Sequence, residues 1–152
     1  MTNSPRSFLS TAFSPFLQAG VVLAVILLVM VGGKILQVSE LVEVEPRFPW
    51  LTAASFMLFF ALFNSVFSLS ASNLNHYWSR SIPSFGVLAL LSGLLAWAFS
   101  SIPIFEAGSY WWIFIVVSFG YLVFLSLMGL ARKIVDFAER EEWNAPKRRN
   151  RR

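Results

Sequence analysis

Four apolar runs, at about 16–36, 49–72, 83–102 and 110–131, constrain this chain more than any other feature, because roughly 20 such residues cover the hydrocarbon core as a helix. None contains Asp, Glu, Arg or His; the one charge is Lys34, at the end of the first run, where it can snorkel to the head groups. In lipid the backbone must satisfy its own polar groups, which a helix does within each segment. The expected fold is therefore an all-α membrane protein, with four transmembrane helices in an up-and-down bundle and short connections. Hydrophobic residues make up 57% of the 152 and charged residues 13%, the latter about half the share of a soluble domain. Nothing outside the runs is long enough to fold alone, so one domain is expected over 1–144, followed by a basic tail at 145–152.

The polar N-terminal tail holds Pro5 and Arg6, and Ser14-Pro15 reads as a helix start. A signal peptide is the rival reading of the first run. The run exceeds an ordinary apolar core of such a peptide, and no small-residue cleavage pattern precedes Gly32-Gly33-Lys34, so an uncleaved helix is expected. The first connection, Gln37 to Pro49, is acidic, with Glu40, Glu43 and Glu45. Val38, Val42 and Val44 allow a brief extended piece there. A solvated loop fits those glutamates better than a cation site, because no His or Asp lies near them and the spacing is not that of a Ca²⁺ loop.

The second run has two unlike faces at 3.6 residues per turn. Ala54, Met57, Ala61, Asn64, Ser65, Ser68, Ser72 and Asn75 share one side, and Phe56, Phe59, Phe60, Phe63 and Phe67 lie on or toward the other. Lipid solvates phenyl rings but not the Asn64 amide, so the small, polar side is expected to face protein. Asn73 to Ile82 reads as a connection and Pro83 as the start of the third helix. There Gly86, Ala89, Gly93, Ala96 and Ser100 recur at steps of three and four, a stripe that lets two helix backbones approach closely. Helices two and three are thus expected to pair. The fourth begins at Tyr110-Trp111-Trp112, an aromatic belt, and carries Ser118 and Gly129 on one side. No break separates it from an amphipathic extension at 132–144, where Arg132, Asp136 and Arg140 alternate in sign. Arg132, Lys133, Lys147, Arg148, Arg149, Arg151 and Arg152 are the candidate contacts to lipid head groups or a partner.

Charge sets the expected orientation. With both termini inside, ten Lys and Arg fall on the inner side and two on the outer; the reverse placement inverts that ratio. The positive-inside rule selects cytoplasmic termini, and a bacterial inner membrane is the expected location.

Function is constrained chiefly by what the runs lack. Proton-coupled transporters, pumps and voltage sensors need ionisable groups at depth. The chain has no Cys for thiolate chemistry and a single His, His76, which rules out bis-histidine haem within one copy. His76 has no acid near it in sequence to orient it, and an interfacial role is the plainer reading. No catalytic, cofactor or metal site is expected. The tail lacks interleaved aromatics, so no nucleic-acid partner is expected either. The expectation is a non-enzymatic accessory subunit that associates with lipid and with other subunits or copies of itself through its small and polar helix faces. The alternative is a small passive channel or transporter formed by oligomerisation around the Asn64–Ser72 face.

Overall fold

The computed structural model describes residues 14–40, 42–69 and 74–144. It is all-helical: α1 (Pro15–Val38), α2 (Phe48–Leu69), α3 (Leu74–Ser100) and α4 (Tyr110–Asn144), each long and apolar enough to cross a membrane. Ser14 takes the cap position of α1 through its carbonyl, which accepts from Gln18 N at 3.1 Å, while its hydroxyl caps nothing. Pro15 and Pro49 occupy first turns, where a missing N–H costs no helical bond. The connection before α2 contains no strand among the described residues. Lys147, Arg148, Arg149, Arg151 and Arg152, and Ser72 of the polar face, lie outside the described residues.

The start of α3 corrects the sequence reading. The helix begins at Leu74, not Pro83, so His76 and Arg80 sit on its first turns rather than in a loop, and Pro83 is internal. Proline removes one helical bond, the one that would reach Ser79 O, and membrane helices tolerate such a gap; the serines beside it turn back onto other carbonyls of the same helix. Here Ser79 Oγ donates to His76 O (2.9 Å) and Ser84 Oγ to Ser81 O (2.8 Å).

Packing centres on α2. It touches all three other helices, whereas α4 meets little besides α2, and α1 and α4 do not pack together among the described residues. Half of α2's most apolar window is buried, against 22–28% in the others, so α2 cannot keep a whole phenylalanine face for lipid. Phe60, expected on the lipid side, is in fact 2% exposed, with Phe85 and Tyr121 at ring distances of 6.1 and 6.3 Å. Phe59 and Phe63 do face outward and stack at 4.9 Å. The core combines Ile26 and Met30 of α1, Ala53, Met57 and Ala61 of α2, Leu88 and Ala96 of α3, and Val117 and Leu125 of α4.

The end where α2 begins is fixed by Trp50. Its ring is buried against Phe114 (5.8 Å, edge on), and its Nε1 donates to Ile102 O at 3.1 Å. Ser100 Oγ donates to Pro46 O (2.7 Å), joining the end of α3 to the first connection. Gly33 lets α1 close on Phe48: a Cβ there would stand 2.7 Å from the ring, while one at Gly32 meets nothing within 4 Å. Gly33→Ala is therefore expected to lower stability by about 1–2 kcal/mol relative to Gly32→Ala, since an overpacked site must shift its neighbour. Paired unfolding curves in detergent check this.

Candidate functional site

One polar cluster draws side chains from all four helices. At its centre is Asn64, fully buried on α2. Asn64 Oδ1 accepts from Tyr121 OH of α4 at 2.9 Å and from Ser81 Oγ of α3. Ser81 Oγ and Tyr121 OH also lie within hydrogen-bond reach of each other, so two hydroxyl protons are shared among three contacts. On the other side of the amide, Asn64 Nδ2 donates to Gln18 Oε1 of α1 at 3.0 Å. Even the Asn64 backbone takes part, its carbonyl accepting from Tyr77 OH at 3.1 Å.

The helices supply these groups through simple spacing. Tyr77, Ser81, Ser84, Phe85, Leu88, Ser92 and Ala96 form the buried side of α3, at steps of one, three and four. Val117, Tyr121, Leu125 and Gly129 do the same on α4. Beside Asn64 and one turn beyond it, hydroxyls fold back onto their own helix: Ser65 Oγ donates to Ala61 O (2.6 Å), and Ser68 Oγ to Ser65 O. Such back-bonding lets a serine sit in an apolar contact without an orphaned donor.

The sequence-selected residues divide unevenly. Ala61, Asn64, Ser65 and Ser68 are buried together on α2. On α3, Ala96 is buried, Ala89, Gly93 and Ser100 are half-buried, and Gly86 lies on the exposed side with open space around it. The closest approach at Gly93 is to Phe114 of α4, 3.7 Å from a built Cβ. Arg132 is half-buried and Lys133 exposed on the α4 extension. His76 and Glu40, Glu43 and Glu45 are all exposed, the glutamates just ahead of α2 and the histidine just beyond its far end. A helix of that length holds them about 30 Å apart.

Gln18, Tyr77, Ser81 and Tyr121 escape a reading of the sequence alone. Gln18 carried the clearest signal, as one of two strongly polar residues in its run. Lipid solvates that amide no better than the one on α2. Tyr121, a lone hydroxyl-bearing ring deep in the fourth run, was the next clue.

Chemically, the cluster bonds helix to helix within the chain. Its acceptors and hydroxyls are turned inward, and it contains no carboxylate, imidazole or thiol. Among the described residues, clefts of about 400, 380 and 550 Å³ open on the sides of the bundle between helices, and their linings are almost wholly apolar. Comparison with protein-family models, curated proteins and solved structures returns no match.

The cluster should behave as one coupled unit. Asn64→Leu strands Ser81 and Tyr121 and is expected to cost about 2–4 kcal/mol, while Tyr121→Phe costs about 1 kcal/mol. A double-mutant cycle between Asn64→Ala and Tyr121→Phe, followed by unfolding in mixed micelles, should give a coupling of roughly 0.6–1.7 kcal/mol.

Proposed function

We propose that the chain is a non-enzymatic, multi-pass membrane protein that serves as a structural or accessory subunit of a larger membrane assembly. The observation that carries this reading is the far end of α4. Beyond Ala131 the helix continues to Asn144, away from the bundle, with Ile134, Val135 and Phe137 61%, 54% and 64% exposed among charged neighbours. An amphipathic helix with an uncovered apolar side needs a cover, either a second protein or the membrane surface.

The interior supports the same reading. The polar side of α2 is consumed inside the monomer, which argues against a hydrophilic path around Asn64–Ser68. It also moves the expected association surface away from that side and toward the α4 extension. Side-chain contacts support the up-and-down order. Gln18 and Tyr77, near the starts of α1 and α3, meet Asn64 toward the end of α2, and Trp50, at its beginning, meets Ile102 and Phe114. The basic excess at the two termini supports a cytoplasmic placement of both, in a bacterial inner membrane.

Two measurements test this. Gently solubilised full-length protein should run in native mass spectrometry as an assembly heavier than the 17.1 kDa chain, and Ile134→Glu with Phe137→Glu should return it to the monomer. A wild-type monomer would overturn the proposal. Because the chain has no cysteine, single substitutions report sidedness cleanly. In intact cells an impermeant maleimide should label Glu43→Cys and leave Asn150→Cys untouched; the opposite pattern inverts the orientation.

A further inference from the structure

The outer side of α4 carries a regular seam. Gly120, Val123, Leu127, Leu130, Ile134 and Phe137 follow one another at alternating steps of three and four, the repeat of about 3.5 residues that marks a coiled coil. Within the apolar span nearly every position is hydrophobic, but beyond Arg132 and Lys133 charged residues alternate with apolar ones. There Ile134 and Phe137 keep the same register. Apart from the half-buried Gly120, all six are exposed, and a Cβ built at Gly120 meets nothing within 4 Å. Val117, Tyr121 and Leu125 face the bundle, and the seam lies roughly half a turn round the helix from them. It therefore points away from α2, where another helix can lie alongside.

The composition of the seam and its flanks selects the partner. A lipid surface is met by a helix lying in its plane, whereas this arm continues a spanning helix without a break. A seam that repeats faster than the turn of a straight helix stays in contact only with a second helix that supercoils around it. With Ile134 at an a position, Leu130 falls at d, and that pairing favours two strands. Lys133 and Arg140 flank the seam on one side, Ala131 and Ala138 on the other. Two parallel copies set the basic row of each against the alanine row of the other, so like charges do not meet. Antiparallel copies would set basic row on basic row, but copies inserted in one orientation are parallel. Glu141 takes the next seam position, which closes the apolar run after Phe137. We propose that this seam pairs with the same seam of a second copy of the chain, as a parallel two-stranded coiled coil about a twofold axis along the membrane normal. The proposal rests on the accessory-subunit reading, in which the arm takes a protein cover, and names that cover. Contacts between helices in hydrocarbon choose a partner weakly, so burial of Ile134 and Phe137 outside it supplies most of the grip.

The absence of cysteine makes the test direct. Full-length single-cysteine variants are oxidised with copper phenanthroline in isolated membranes, and the products are separated by mass. Ile134→Cys and Phe137→Cys should form a disulfide dimer of two 17.1 kDa chains. They should do so about tenfold faster than Val135→Cys and Glu139→Cys, because only seam positions face each other across the pair. Val135 is similarly exposed and apolar but off the seam, so it reports random collision. Leu130→Cys, one turn closer to the bundle, should cross-link with the seam set and keeps the test open where Phe137→Cys weakens pairing. Equal rates at all positions, or Val135→Cys as the fastest, would overturn the proposal. Lipid, a different protein or residues 1–13 of the same chain over the seam would each leave Ile134→Cys no faster than Val135→Cys. Native mass spectrometry separates the two readings. A wild-type assembly heavier than the chain, together with slow cross-linking at the seam, removes the second copy and leaves the accessory-subunit reading standing. A wild-type monomer removes both.

Discussion

The Asn64 side chain sits where hydrocarbon would otherwise surround it, and that one fact organises the molecule. An unbonded amide in such a medium costs several kcal/mol, more than a single interhelical bond returns. The chain resolves this by placing four groups from three other helices around one residue: Gln18, Tyr77, Ser81 and Tyr121. Apolar contacts between membrane helices are exchanged for equally apolar lipid contacts, so they choose a partner weakly. Directional bonds to a single amide choose it strongly. Sliding any one helix would break the set, and the cluster thereby fixes register as well as adhesion.

The central place of α2 follows from the same requirement. To offer Asn64 to all its neighbours, α2 must be flanked by them, and it is the most buried of the four apolar windows. Its small residues Ala53, Ala54 and Ala61 allow the approach, and Met57 and Phe60 fill the remaining volume. The opposite end lacks a comparable polar centre. There Trp50 combines a large buried ring with one hydrogen bond to Ile102, as an indole near an interface commonly does.

The four helices were legible in the sequence because length and apolarity suffice to mark them. The polar side of α2 was legible too, since Asn64 and its serines stand out against phenylalanine. Its width was not. A helix that packs against three others buries a broad arc, and Phe60, placed by periodicity near the edge of that arc, falls inside it. On α3 the glycine and alanine stripe stands out more in the sequence than the serines beside it, although Ser81, Ser84 and Ser92 are fully buried and, of the stripe, only Ala96 is. Small residues of either kind permit close packing, and spacing alone does not say which row meets a neighbour. The partners of Asn64 are 17 to 57 positions away in sequence for Ser81, Gln18 and Tyr121, and no local pattern encodes such a meeting. Pro83 misleads for a related reason: rules drawn from water-soluble helices count it as a boundary, while apolar helices of this kind carry it internally.

The arm α4 is held differently from the rest. Its grip on the bundle comes mainly from α2, through Phe114 against Trp50 at one end and Tyr121 against Asn64 further along, with Tyr121 also stacked on Phe85 of α3. Past Leu125 and Gly129 its residues are mostly exposed for three more turns, through Arg140. A helix is stiff over that length, so a load on Ile134 or Phe137 is carried back along the axis to the Tyr121 contact rather than absorbed by a loop. The same amide that closes the bundle therefore anchors the one element that leaves it. A protein built this way holds a helical arm whose direction is set from within the bundle by Asn64, a residue far from the arm in sequence.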